Sequence, residues 1–194
     1  MSGYRTNAEV IAAAAQLGYI RPEMLTLDAT YERGRFWNDW RPLNLFTNDI
    51  NPKYGQFHHD YRALPWASRV FDCVVFDPPY KLKGTGGSHP SDEGYGVATP
   101  YAHWTDVFFD IHDGIDECMR VLAVGGTFLL KCMDQVSGGH KRWTRGFVNH
   151  VERLGGRHVD TFCVNGYRKQ PEGKIQRRSR TDHSMLHVFL KEAA

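Results

Sequence analysis

Cysteine is scarce and scattered in this 194-residue chain, because its four cysteines form no Cys-x-x-Cys pair. That spacing argues against a structural zinc site and against a disulfide framework, so we expect buried thiols in a reducing cytoplasm. No apolar run approaches the length of a membrane span, and the segment after Met1 lacks the apolar region of a secretory signal. We therefore expect a cytoplasmic protein that holds no metal and contacts no membrane.

The chain also lacks a strong charge of either sign. Its 24 Lys and Arg residues nearly balance its 22 Asp and Glu residues, which leaves a net charge of +2. This overall balance says little about a nucleic-acid partner, so local clusters of basic residues are more informative. The hydrophobic content of 41% is typical of globular proteins, and the length fits one domain spanning residues 1–194.

Helical and strand-like segments alternate along the chain. Asn7 is expected to cap the first helix, and Gly18 suits the position just after its last turn. The expected helices are 7–17, 105–122 and 143–154, and the expected strands are 24–27, 42–48, 71–76, 127–133, 158–164 and 183–190. This alternation predicts a single doubly wound α/β domain.

Four acidic residues each close an apolar segment, namely Asp28, Asp49, Asp60 and Asp77. The carboxyl ends of strands are where open α/β sheets bind their ligands. Asp49 lies 21 residues after Asp28, which is the spacing at which nucleotide-binding folds place a ribose-binding acid. An aspartate shortly before Pro52 is also common as the first residue of a turn.

The segment Asp77-Pro78-Pro79-Tyr80 follows the most apolar strand. It resembles the catalytic motif of S-adenosyl-L-methionine (SAM)-dependent methyltransferases that modify exocyclic amino groups of nucleobases. A carboxylate and a fixed backbone carbonyl accept the two amine hydrogens and direct the nitrogen lone pair at an electrophilic methyl. The tyrosine can stack on an extruded base. The alternative is a strand that ends in an ordinary Pro-Pro turn.

The resemblance covers nearly the whole chain and implies a Rossmann-like class I methyltransferase with a mostly parallel sheet and an antiparallel last strand. Within this family the chain resembles small bacterial and phage DNA-methylase-like proteins. Asp28 and Gly34 match the acid and the last glycine of the family's Asp-x-x-x-Gly-x-Gly cofactor loop. The residues that the resemblance assigns to SAM are Asp28, Thr30, Tyr31, Gly34, Asp49, Ile50, Asp60, Tyr61 and Asp77.

Glu32 departs from the family pattern, because it stands where the first glycine of the loop is usual. A side chain there would crowd the cofactor. This departure keeps open a non-catalytic nucleic-acid-binding or partner subunit with a degenerate cofactor loop.

Two polar segments are candidates for substrate contacts. Residues 81–101 are expected to form a flap over the substrate, and residues 166–182 a basic loop that contacts phosphates. Solvated loops without a binding role are the alternative for both. The expected substrate-binding residues are Lys81, Lys83, Lys131, Arg168, Arg177 and Arg178.

The function that these features favour is methylation of an exocyclic amino group of a nucleobase, with adenine N6 in DNA ranked first. An RNA adenine methyltransferase would use the same motif. Methylation of a protein glutamine is disfavoured, because related enzymes carry Asn in place of Asp77. With no separate recognition domain in the chain, we expect a short target, a homodimer or a partner protein that supplies target recognition.

Overall fold

The computed structural model describes residues 3–80, 103–137, 140–166 and 183–193. The expected flap at 81–101 lies outside the described residues. The expected basic loop at 166–182 also lies outside them, apart from residue 166. The same holds for five of the expected substrate-binding residues, Lys81, Lys83, Arg168, Arg177 and Arg178.

Six of the eight described strands form one central sheet. The strands are β1 (Leu25–Asp28), β2 (Asn44–Thr47), β3 (Phe71–Phe76), β4 (Leu122–Cys132), β5 (Gln135–Ser137), β6 (His140–Arg142), β7 (Gly156–Asn165) and β8 (His183–Lys191). The strand order in the sheet is β2-β1-β3-β4-β8-β7. β1 to β4 are parallel, whereas β8 runs antiparallel to both β4 and β7. The predicted α/β fold, with its mostly parallel sheet and antiparallel last strand, is confirmed.

The described helices are α1 (Asn7–Gln16), α2 (Trp104–Val121) and α3 (Thr144–Arg153). The cap of α1 is Thr6 rather than Asn7, because the Thr6 hydroxyl accepts the backbone N–H of Glu9 at 3.1 Å. Gly18 follows this helix with a φ of 81°, the left-handed conformation expected of a glycine at that position. No helix in the described part of the chain combines the length and apolar character that crossing a bilayer requires.

Two apolar layers cover the faces of the sheet, and β3 shows why its sequence is continuously apolar. Cys73 and Val75 pack with α1 on one face, while Val74 and Phe76 pack with α2 and α3 on the other, and all four are fully buried. A parallel strand that is covered on both faces needs apolar residues at every position. All four cysteines are free, although Cys163 is only half-buried, which corrects the expectation that all the thiols are buried.

Candidate active site at the carboxyl edge of the sheet

The carboxyl ends of β1, β2 and β3 bring three of the predicted acids to one edge of the sheet, here called the carboxyl edge. Asp28 ends β1, Asp49 follows β2, and Asp77 follows β3. The charges of Asp77 and Asp49 both act on the carboxyl group of Asp28. The predicted convergence of these acids is therefore what the structure shows, although the role of each in binding stays a prediction.

Asp28 is buried inside this edge, with only 1% of its surface exposed. Its Oδ2 accepts the indole N–H of Trp37 at 2.7 Å, and its Oδ1 accepts the backbone N–H of Thr30 at 3.1 Å. Burial is the main cause that raises the pKa of this carboxyl to about 7. The buried carboxyl group thus stabilises the loop that follows β1 through these two hydrogen bonds.

The loop after β1, residues 29–34, is held on both sides and is here called the cofactor loop. Ala29 donates its N–H to the carbonyl of Val75 at 2.9 Å, and Tyr31 donates to the carbonyl of Asn48 at 2.8 Å. Gly34 has a φ of 66°, and a Cβ at this position would lie 2.4 Å from the Tyr31 hydroxyl oxygen. The glycine therefore meets two requirements, a left-handed backbone and close contact with an aromatic ring.

Glu32 also adopts a left-handed conformation, with a φ of 48°. This is the conformation that a glycine would favour, so the loop keeps a glycine-like backbone at the position where the family pattern has glycine. The backbone N–H of Glu32 donates to Oδ2 of Asp49 at 2.7 Å. The departure from the family pattern thus concerns the side chain of Glu32 and leaves the turn in place.

Asp49 is fixed by backbone donors on both oxygens, since Asn51 donates its N–H to Oδ1 at 2.8 Å. Burial raises the pKa of this carboxyl above its usual range. Ile50, the next residue, is 54% exposed although its side chain is apolar. A carboxylate such as that of Asp49 could bind ribose hydroxyls, and an exposed aliphatic side chain such as that of Ile50 could pack against an adenine ring.

Sequence reasoning missed Asn48, which is fully buried next to Asp49. Its side-chain amide donates to the carbonyls of Ala29 and His59 at 3.2 and 3.0 Å, and its Oδ1 accepts the N–H of His59 at 2.9 Å. Asn48 therefore joins the cofactor loop to the segment that carries Asp60. The sequence feature that could have predicted this role is the position of Asn48 at a strand end, directly before an acid.

Asp60 and Tyr61 lie in a loop rather than on a strand. The guanidinium of Arg62 donates to Asp60 at 2.6 Å and also pairs with Asp110 of α2 at 3.0 Å. This hydrogen bonding lowers the pKa of Asp60. The ring of Tyr61 packs against Phe76 with centroids 5.1 Å apart. Contact of either residue with a cofactor stays a prediction.

Asp77 is attached to the cofactor loop and to β4. Its backbone N–H donates to the Thr30 hydroxyl at 2.8 Å, and its Oδ2 pairs with the ammonium of Lys131 at 2.8 Å. Pro78 is buried and Pro79 half-buried. The predicted contact of Lys131 with a target base or a phosphate stays a prediction, and in the structure its ammonium pairs with Asp77.

Tyr80 is held by β4 and by Trp143, the residue just before α3. Its hydroxyl donates to the backbone carbonyl of Lys131, and its ring meets the ring of Trp143 edge-on with centroids 6.4 Å apart. Trp143 is 3% exposed and has a φ of 111°, which is strained for a residue other than glycine. Sequence reasoning placed Trp143 only as a helix start and missed this contact.

The described residues contain no group of three or more His, Cys, Asp or Glu side chains arranged to hold a metal ion. The carboxyl edge carries the carboxylates of Asp49 and Asp77 and the aromatic ring of Tyr80. Such groups accept hydrogen bonds from amines and hydroxyls and stack on flat rings.

Comparison with known proteins shows similarity at the level of the fold. No protein-family model and no curated protein sequence matches the chain. Among solved structures, the N-methyltransferase NodS from Bradyrhizobium japonicum WM9 matches with a TM-score of 0.60 and 13% identity over 95% of this chain and 94% of NodS. NodS in complex with S-adenosyl-L-homocysteine matches with a TM-score of 0.56 and 12% identity over 93% and 83%.

A third match comes from the complex between the Haloferax volcanii Trm112 methyltransferase activator and the putative methyltransferase. It has a TM-score of 0.59 and 13% identity over 96% of this chain and 89% of the matched chain. At such low identity these matches show the fold alone. The chain therefore has the fold of class I SAM-dependent methyltransferases.

Proposed function

We propose that this protein is a SAM-dependent methyltransferase that acts on an exocyclic amino group of a nucleobase, with adenine N6 in DNA as the first candidate. The observation that carries the proposal is the attachment of Asp77. Its N–H is bound by Thr30 of the cofactor loop, and its carboxylate is bound by Lys131 of the neighbouring strand. An amine-accepting carboxylate thus lies directly beside the loop that would hold the methyl donor.

The residues at the carboxyl edge fit SAM. Asp49 would accept from the ribose hydroxyls, because each of its oxygens has a second lone pair besides the one used by a backbone donor. Ile50 would cover the adenine ring, and Asp60 with Tyr61 would complete the adenine site. The cofactor loop, through Thr30, Tyr31 and Gly34, would hold the methionine end, where a left-handed glycine permits close backbone approach. Asp28 would act through the loop, because its carboxyl is buried.

The bound cofactor would supply an electrophilic methyl group on a sulfonium. The protein's own residues would prepare the acceptor. The Asp77 carboxylate and the Pro78 carbonyl would accept the two amine hydrogens, which favours a tetrahedral nitrogen with its lone pair available. Tyr80 would stack on the base and offset part of the cost of extruding it. Pro78 and Pro79 restrict the backbone, so little reorganisation is needed.

Nucleic acid is proposed as the substrate on the strength of the Asp-Pro-Pro-Tyr segment. DNA is ranked above RNA because the chain resembles small DNA-methylase-like proteins. The expected flap at 81–101 and the expected basic loop at 166–182 are the proposed phosphate contacts. A homodimer or a partner protein would supply target recognition.

The decisive experiment incubates the full chain with SAM labelled in its methyl group and with duplex DNA, single-stranded DNA and RNA, and then separates the nucleosides by mass spectrometry. We expect label in N6-methyl-2′-deoxyadenosine from DNA. Label in RNA alone would select the RNA alternative. Label at N4 of cytosine would show that cytosine, not adenine, is the target base. Calorimetry that shows no heat at millimolar SAM would instead favour a non-catalytic subunit and would overturn the proposal.

A further inference from the structure

Lys131 is a charged residue near the carboxyl end of a strand whose second half is otherwise buried. Its neighbours in β4, Leu130 and Cys132, are both fully buried, and its own side chain is only 13% exposed. Burying an ammonium costs free energy unless a partner compensates for the lost hydration. The Lys131 ammonium therefore needs a compensating partner from outside its own strand.

Strand register explains why Lys131 meets Asp77. In the parallel pair β3 and β4, Phe76 aligns with Leu130, so the residues that follow each of them lie at the same level of the sheet. The Lys131 Nζ lies 2.8 Å from Oδ2 of Asp77, whose side chain is 20% exposed. It also lies 5.7 Å from the ring centroid of Phe36, which follows the cofactor loop.

Lys131 contacts both ends of the Asp-Pro-Pro-Tyr segment. Its ammonium binds the Asp77 carboxylate, and its backbone carbonyl accepts the hydroxyl of Tyr80. The carbonyl contact persists with any residue at position 131, whereas the ammonium contact needs a cation. The two contacts can therefore be separated by changing the side chain alone.

The charges at the carboxyl edge also indicate that Lys131 acts on Asp77. Asp28, Asp49 and Asp77 gather there, and within the described ranges only Asp77 of these three forms an ion pair. Within the same ranges, Oδ1 of Asp77 accepts no hydrogen bond, while Oδ2 is taken by Lys131. The pair thus leaves one defined oxygen to receive an amine hydrogen.

We propose that Lys131 is a positioning residue for the methyl-transfer step. Its ammonium holds Oδ2 of Asp77 so that Oδ1 faces the acceptor amine. This inference rests on the proposed function and assigns Lys131 to the carboxylate rather than to a phosphate. A phosphate contact would act on the binding of nucleic acid. A positioning residue acts on the rate of the bound complex.

The test compares Lys131→Met and Lys131→Arg with a matched control, Lys191→Met. Lys191 is another half-buried lysine, and its ammonium donates to the carbonyls of Met119 and Leu122. With the nucleic acid that the wild-type protein methylates, we expect Lys131→Met to lower kcat by about 10- to 100-fold with KM for nucleic acid within about threefold. Lys131→Arg should recover at least about a tenth of wild-type kcat, since it keeps the cation.

Two kinetic results would overturn the assignment. One is a kcat for Lys131→Met within threefold of wild type. The other is a raised KM for nucleic acid at unchanged kcat, which is what a phosphate contact produces. Lys191→Met should leave kcat unchanged, and this control separates local positioning from general loss of stability.

A second measurement works even if the wild-type protein methylates no nucleic acid, in which case the proposed substrate would be wrong. Urea unfolding of the wild type, Asp77→Ala, Lys131→Met and the double variant forms a double-mutant cycle. We expect the two changes to be non-additive by at least about fivefold in the unfolding equilibrium constant. Additive effects would show that the ammonium does not hold the carboxylate, and would reject the inference independently of substrate.

Discussion

At each of the two edges of the parallel strands, one aspartate can be compared with one half-buried lysine, and the partners of these residues differ. At the carboxyl edge, Asp77 and Lys131 bind each other. At the opposite edge, formed by the amino ends of β3 and β4 and here called the amino edge, Asp72 accepts the N–H of Leu25 at 2.9 Å, and Lys191 donates to two backbone carbonyls.

The difference shows how the same residue types serve two purposes. At the amino edge each charged group satisfies backbone groups that the ends of strands and helices leave without partners, which is a contribution to folding. At the carboxyl edge a side-chain carboxylate and an ammonium pair with one another, and the proposed function uses the remaining oxygen of the carboxylate. Partner identity, rather than residue type, distinguishes the candidate site from its structural counterpart.

The largest expected contrast is between the two aspartates. Asp77→Ala should reduce methyl transfer by at least about 1,000-fold, because the acceptor for the amine hydrogen is lost. Asp72→Ala should leave transfer unchanged and lower the free energy of unfolding by about 1 kcal/mol, because one backbone N–H loses its partner. Initial rates with labelled SAM and urea unfolding measure both, with SAM affinity as the check on folding. Transfer by Asp77→Ala at the wild-type rate would contradict the mechanism.

Asp28 should make the carboxyl edge sensitive to pH. Burial raises its folded-state pKa to about 7, so its protonated form is favoured in the fold. Its contribution to stability is therefore complete below the unfolded pKa near 4 and is lost as pH rises through about 7, by roughly 3 to 4 kcal/mol. Urea unfolding at several pH values should show this loss in the wild type.

The matched variant for this prediction is Asp28→Asn, which keeps the shape of the side chain but cannot ionise. The difference in unfolding free energy between wild type and variant should move in favour of the variant between pH 4 and pH 8. A difference that stays constant over this range would show that Asp28 does not titrate there.

Lys191→Met tests the amino edge alone. The carbonyls of Met119 and Leu122 would lose their shared donor, so the free energy of unfolding should fall by about 1 to 2 kcal/mol. Affinity for SAM should stay within about twofold, because the residue lies at the edge away from the cofactor loop. A weakened affinity for SAM at equal stability would show that the two edges are coupled.

The smallest expected effect comes from Glu32→Gly in the cofactor loop. The left-handed backbone at this position favours glycine, so the substitution should stabilise the fold by about 0.5 to 1 kcal/mol. Removing the side chain should also tighten SAM binding by a few-fold in calorimetry. Weaker binding by the variant would instead assign the Glu32 carboxylate a contact with the cofactor.

Local pattern was enough to predict β1 and β3, because buried parallel strands are continuously apolar. For β3, the two prolines after Asp77 also marked its end. The pairing of Asp77 with Lys131 was not predictable in this way. It depends on the register between β3 and β4, which are separated by 45 residues of chain between Phe76 and Leu122. The same limit hid the contacts of Asn48 and Trp143, whose partners are distant in sequence.

Errors on a local scale had a different cause. Thr6 and Asn7 are adjacent and both suit a helix cap, so composition could not choose between them. The half-buried Cys163 lies in β7, an edge strand of the sheet that is less covered than the central strands.

In the proposed function, the hydroxyl of Thr30 would make SAM and nucleic acid interdependent. Thr30 belongs to the cofactor loop, and its Oγ1 receives the N–H of Asp77 from the acceptor side. A ligand that orders the loop would therefore also order the Asp77 carboxylate, the proposed acceptor for the second ligand. By thermodynamic linkage the effect is reciprocal, so nucleic acid bound at Asp77 should tighten SAM by the same factor by which SAM tightens nucleic acid.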